Sequence, residues 1–240
     1  CNVYADHRIP GADEEASLLP PLAGEVMESM DTYGQAKVAC EQQVQQAFEP
    51  GRAVIARVGL IGGPGDIFDR TGYWPLRFAR PSAPRGAVLV PDAPELATQV
   101  IDVRDLAAWL VDAGSRRLGG VYNATGETTA LFDHLETARR IAGHTGPVVR
   151  ADQQWLLDQG VQPWMGERSL PLWLVDPDWL GFNARDSSKA RRLGLSTRPL
   201  EQTLADTLSW ELTRATDHPR RAGLTDNDER TLLTALAEHQ

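Results

Sequence analysis

The chain of 240 residues is poor in cysteine, has no long apolar run and carries no excess of positive charge. Its two cysteines, Cys1 and Cys40, cannot build a disulfide framework. They fit a reducing compartment, so a cytoplasmic location is expected. No run of about 18 apolar residues occurs, so no helical membrane span is expected. The opening, CNVYADHRIPGADEEAS, has neither the basic head nor the apolar stretch of a secretory signal. Lysine and arginine number 24 against 33 aspartates and glutamates, a net charge of −9. The basic pairs are scattered (Arg139-Arg140, Arg191-Arg192, Arg220-Arg221), so a nucleic-acid partner is not expected. His7, His134 and His144 have no partner at metal-ligand spacing, so no metal is expected. Internal repeats and low-complexity linkers are also missing.

The hydrophobic content of 42% is enough for a sizeable core. Residues 5–24, rich in proline, glycine and acid, read as a loop. A helix is predicted from Thr32 to Phe48, ended by Pro50-Gly51. AVIARVGLI, Ala53–Ile61, is a near-continuous apolar run, the pattern of a strand buried on both faces. It ends in GGPGD, a turn that a tight or ligand-facing backbone needs. Downstream, AVLV, TQVIDV and GVYNATG read as strands; RDLAAWLVDAGSR, LFDHLETARRIAG, DSSKARRLG and LEQTLADTLSWELTRA read as helices. Residues 151–182 read as irregular. Alternating strand and helix predicts an α/β fold with a parallel sheet.

Tyr33 and Lys37 stand four residues apart and share a helix face. A tyrosine hydroxyl, with a pKa of about 10, is a poor acid or base at neutral pH. A nearby ammonium favours the phenolate and adapts it to proton transfer. A tyrosine and a lysine at this spacing also occur together without function.

The surroundings of the pair are more specific. VYADH (Val3–His7), YGQAKVACE (Tyr33–Glu41), ARVGLIGGPGD (Ala56–Asp66) and QVIDVRDLAAWLV (Gln99–Val111) follow one another as four blocks. In this order the chain resembles the extended short-chain dehydrogenase/reductases, the NAD-dependent epimerase/dehydratase family. The resemblance covers about residues 1–215. It implies a Rossmann-like doubly wound parallel sheet lacking its first strands, with a smaller C-terminal substrate lobe. Residues 1–63 and 99–126 would be the remainder of the NAD(P)-binding domain. Residues 64–98 and 127–215 would form the substrate lobe, and 216–240 a helical tail.

The resemblance further implies NAD or NADP as cofactor and hydride transfer at a carbonyl or alcohol carbon. Tyr33 would be the general acid/base. Lys37 would hydrogen-bond the nicotinamide ribose and tune the tyrosine. The backbone at Gly59 and Leu60 would border the nicotinamide, and Gly34 would leave room for a closely approaching cofactor. The family's glycine-rich pyrophosphate loop is not found in the sequence, and the position of its catalytic Ser or Thr falls before Cys1. The chain is therefore expected to be N-terminally incomplete, or else a short protein that has lost cofactor binding. Either way, weak or no dinucleotide binding by these 240 residues alone is expected. A non-catalytic dinucleotide sensor on the same fold is the alternative.

On the substrate side a small molecule is expected. Many family members carry an arginine before the strand that matches QVIDV, where it pairs with the diphosphate of a nucleotide sugar. Thr98 stands there in this chain, which weakens the nucleotide-sugar reading; Arg70 or Arg77 is the substitute on offer for that arginine, with a surface charge as the equal reading of each. RTGYWPLRF offers Arg70, Tyr73, Trp74 and Arg77 as substrate contacts, with core packing as the other reading of its aromatics. Trp155, Trp164, Trp173 and Trp179 read as lobe packing. Asp102, Arg104 and Asp105 read as the cap of a helix. A homodimer is a candidate assembly.

Overall fold

Strands and helices alternate along the chain as its apolar pattern predicts. The computed structural model describes residues 2–215 and 218–239; Cys1 lies outside the described residues. Helix α1 is Tyr33–Ala47. Strands β1 (Val54–Val58) and β2 (Leu60–Gly62) follow. Helix α2 is Tyr73–Ala79, then come β3 (Val88–Pro91), β4 (Ala97–Asp102) and α3 (Val103–Ser115). β5 is Gly120–Ala124, β6 Thr128–Ala130, α4 Leu131–Ile141 and β7 Val148–Ala151. The segment expected to be irregular holds α5 (Gln153–Asp158), β8 (Gln162–Trp164), β9 (Gly166–Glu167) and β10 (Ser169–Pro171). The chain then continues through α6 (Ser188–Arg192), α7 (Leu200–Glu211), β11 (Ala222–Gly223) and α8 (Asp226–His239).

β1 pairs in parallel with β5, with Val54 opposite Gly120 and Val58 opposite Ala124. β2 pairs in parallel with β4, which takes β6 on antiparallel. β3 and β7 form a separate parallel pair. The apolar run Ala53–Ile61 is thus two strands, not one. Gly59 breaks it: its amide still bonds the Ala124 carbonyl at 3.2 Å, and the next residue turns to β4. Nor is the run buried on both faces, for Ile61 is 41% exposed.

The largest core joins α2, β3, α4, α7 and α8 around Trp74, Phe78, Leu89, Leu131, Leu204 and Leu232. α7 buries Leu204 and Leu208, while Leu212, just past its end, is exposed. The expected helical tail forms α8, which buries Leu232 and Leu236 in this same core. A second core packs α3 and α6 on the sheet through Ile101, Leu106, Trp109, Tyr122 and Ala190. A third, small cluster holds α1 through Val3, Tyr4 and Val38. Asp102 caps α3, its carboxylate accepting the Arg104 amide at 2.9 Å, as the sequence run predicts.

Candidate active site

Tyr33 is set by the turn before it. Ser29 caps a short turn, Met30–Thr32, by accepting the Asp31 amide, and α1 starts at Tyr33. α1 is then fixed to β1 by charge. Glu41 and Arg57 pair at 2.9 Å with side chains 11% and 4% exposed. Arg57 also reaches the Tyr4 hydroxyl (3.2 Å) and the Glu14 carbonyl (3.1 Å), and Tyr4 donates to Asn123 Oδ1 at 2.6 Å. Burial holds the Tyr4 phenol above its ordinary pKa, against the pull of Arg57.

Gly34 is required here, but for a different reason than a cofactor's approach. A Cβ on it would lie 2.3 Å from the Asn2 carbonyl oxygen and 2.5 Å from Leu19 Cδ1. The close neighbour is the chain's own N-terminal segment.

Tyr33 lines a cavity of about 400 Å³ with Gly59, Ile61, Gly65, Asp66, Phe68 and Arg70. Successive residues of β2 alternate in direction, so Ile61 faces the cavity and Leu60 enters the main core. Gly59 therefore borders the cavity, and Leu60 lends it no side chain. The turn after β2 needs glycine at Gly63 (φ 109°) and Gly65 (φ 89°). Asp66 closes it by accepting from the Phe68 amide, the Thr71 amide and the Thr71 hydroxyl at 2.8–2.9 Å. No helix starts at this turn, so it does not form the strand–turn–helix cradle of a pyrophosphate.

Arg70 stands above the Phe68 and Trp164 rings, 5.1 and 5.3 Å from their centroids. Its Nε is buried without a hydrogen-bond partner. Burial pulls the guanidinium below its usual pKa, while Asp66 and Tyr33, its acidic neighbours, act in the other direction. Lys37 is exposed, does not line the cavity and forms no hydrogen bond or ion pair among the described residues.

The group drawn from RTGYWPLRF divides, because α2 turns most of it inward. Trp74 is fully buried, its Nε1 donating to the Pro171 carbonyl at 2.8 Å. Arg77 donates to Asp226 and to the Leu224 carbonyl, both at 2.7 Å, and lies 3.2 Å from Glu229. Tyr73 is buried beside it, and burial pushes its phenol up to about 12. Tyr73 and Arg77 edge a separate cavity of about 800 Å³ whose Arg168 and Arg220 are already paired with carboxylates. Only Arg70 reaches Tyr33. Sequence reasoning missed Asp66 and Phe68, although GGPGD marked their turn, and it gave Trp164 to lobe packing. Thr98 is buried with its Oγ1 3.1 Å from His134 Nδ1. Among the described residues no group of three or more His, Cys, Asp or Glu is placed to hold a metal ion.

No family model matches the chain, and no curated protein matches it in sequence. Solved structures match it in fold. A Burkholderia cenocepacia J2315 protein provisionally named an epimerase has a TM-score of 0.62 at 20% identity, covering 87% of this chain and 60% of its own. TunA, an NAD-dependent NDP-hexosamine 5,6-dehydratase, has a TM-score of 0.56 at 20% identity, covering 90% and 62%. UDP-glucose 4-epimerase of Bifidobacterium longum, in complex with NAD+ and UDP, has 0.55 at 20%, covering 89% and 62%. The chain has the Rossmann-like epimerase/dehydratase fold. It spans about three fifths of the length of these chains. Within the epimerase/dehydratase fold, Tyr33 begins the helix that precedes β1, and its cavity opens where β2 passes into the glycine turn. Among the described residues no helix is long and apolar enough to cross a membrane.

Proposed function

We propose that the Tyr33 cavity is the proton-transfer site of an NAD(P)-dependent oxidoreductase or epimerase acting at a carbonyl or alcohol carbon. One observation carries this reading. In an epimerase/dehydratase fold, a tyrosine at the start of a helix lines a cavity walled by the bare backbone of Gly59, Gly62 and Gly65. At Gly59 and Gly62 a Cβ would meet Thr125 at 3.0 Å and Val100 at 2.6 Å behind the wall, so only backbone faces the cavity there, and at Gly65 a Cβ would meet nothing within 4 Å. The B. longum and TunA structures support NAD(P) as the cofactor.

The nicotinamide, when bound, supplies or accepts the hydride. The protein's residues do the rest. Tyr33 gives a proton to the carbonyl oxygen of the substrate, or takes one from its alcohol. Lys37, one helical turn along on the same helix face but outside the cavity lining, would hydrogen-bond the ribose of a bound nicotinamide from the cavity's rim. The Gly59 backbone would border the nicotinamide ring. The buried Thr98 offers no cation for a diphosphate, so the reading favours a small substrate over a nucleotide sugar.

The test uses the longest polypeptide that the gene encodes, assayed for nicotinamide oxidation and reduction over a panel of carbonyl and alcohol substrates. Tyr33→Phe lowers turnover by roughly 10²–10⁴-fold and leaves dinucleotide affinity within about twofold. Equal turnover in both proteins removes Tyr33 from the mechanism. Dinucleotide binding without turnover in either protein supports the sensing alternative.

A further inference from the structure

Burying a charge is costly unless an opposite charge or hydrogen bonds answer it. The buried Arg57 and Arg77 obey this rule: Arg57 has Glu41, and Arg77 has Asp226 and Glu229. Arg185 is paired with no carboxylate among the described residues and keeps two unbonded nitrogens, but it donates to the Asp6 carbonyl at 2.8 Å. The half-buried Arg70 has not even that. It forms no hydrogen bond or ion pair among the described residues, and its Nε is sealed from solvent with nothing to bond. Asp66 is an acidic neighbour of it, yet that carboxylate accepts its three hydrogen bonds from Phe68 and Thr71, and it forms no ion pair with Arg70.

The Arg70 fork is held in place without a polar partner. The Phe68 and Trp164 rings lie about 5 Å from its Cζ, a distance at which aromatic faces attract a guanidinium. Such stacking occupies a flat face and leaves the N–H edge free, and that edge matches a planar or tetrahedral oxyanion. It lines the same cavity as Tyr33.

We propose that Arg70 is the oxyanion receptor of this cavity, so that the ligand taken beside Tyr33 carries a carboxylate or a phosphate. For the reaction, this rests on the reading of Tyr33 given above and narrows the substrate to an acidic carbonyl or alcohol compound. As a binding site it stands without that reading.

The experiment uses the 240-residue chain with no dinucleotide. Protein labelled with ¹⁵N-tryptophan is titrated with malonate, with inorganic phosphate and with neutral malonamide. The indole resonance of Trp164, assigned through Trp164→Phe, reports on Arg70. The expected result is a saturable shift with malonate, phosphate or both, and none with malonamide. Malonate alone identifies a carboxylate site and phosphate alone a phosphate site. Arg70→Gln weakens the binding by roughly 10-fold or more, and Arg70→Lys recovers part of the loss. The thermal midpoint of Arg70→Gln stays close to that of the parent, because only the two ring contacts are lost and no native hydrogen bond or ion pair. The proposal is overturned if neither anion shifts Trp164, if Arg70→Gln binds as well as the parent, or if malonamide binds like malonate. A clear fall in the Arg70→Gln midpoint also overturns it, since it would make the arginine structural. No turnover is measured, so a failure here and a failure of Tyr33 chemistry are separate results.

Discussion

α1 and α4 are both single helices packed on the body of the protein, but different forces hold them. α4, with 11 residues, buries Leu131, His134, Leu135 and Ala138 in the main core. α1, with 15 residues, buries only Gly34 and Val38, and Val44 and the following Phe48 are exposed. Its cluster is limited to Val3, Tyr4 and Val38 with a few half-buried neighbours. What α1 has instead is the Glu41–Arg57 pair, with Tyr4, Asn123 and Glu14 bonded around it. The main core is ordered by apolar burial, which is non-directional and large. The layer that carries Tyr33 and Lys37 is ordered by a polar network, which is directional and fails when one member is removed.

The comparison breaks most strongly in the lobe. Trp74 is fully buried and touches Tyr73 and Phe78 ring to ring. Trp74→Ala leaves a large void and strands the Pro171 carbonyl, for a loss of about 3–5 kcal/mol. Denaturant unfolding measures it. A loss under about 1 kcal/mol would mean that α2 is not seated in the core as described.

That same tryptophan shows how far the sequence could be read. The α/β alternation was legible because each strand and helix carries its own apolar period. Tyr33 at the start of a helix was legible from local pattern, and so was the Asp102 cap. The direction of RTGYWPLRF was not. Its aromatics and arginines suit a ligand wall and a helix face equally well, and tertiary packing decides between them. Arg77 meets Asp226 across 149 positions of sequence, a distance over which pattern says nothing. Arg70 reaches Trp164 in the same way. Gly34 was legible as a close approach, but the approaching group was not. The break at Gly59 was hidden because both halves of the run are apolar.

Acid should weaken the protein through a buried residue of α4. His134 is fully buried, and desolvation holds its pKa near 4, below the ordinary 6.5. Among the described residues its ring bonds only the Thr98 hydroxyl, at 3.1 Å. The unfolded chain takes up this proton as pH falls through 6.5, whereas the folded protein does so only near 4. Stability is therefore full above about pH 6.5, falls between 6.5 and 4, and levels off below, by about 3 kcal/mol in all. His134→Leu removes this part of the slope. Urea midpoints across pH 4–7 measure both proteins, and parallel curves would show that His134 does not carry the acid sensitivity.

The smallest effect sharpens the comparison most. Glu41→Gln keeps the shape and one hydrogen-bonding oxygen but removes the charge opposite Arg57, whose side chain is 4% exposed. The loss is about 1–3 kcal/mol, below that of deleting the partner altogether. It should fall first on α1, because the bonds of the Glu41 carboxylate go to Arg57 and tie that helix to β1. Amide exchange therefore quickens in Tyr33–Ala47 and stays unchanged in Leu131–Ile141. Equal acceleration in both helices would mean that they open as one unit, and that Tyr33 is held by the lobe rather than by the Glu41–Arg57 pair. With α1 opening alone, the position of Tyr33 depends on a charge 8 residues along its own helix, which nothing in the apolar core can replace.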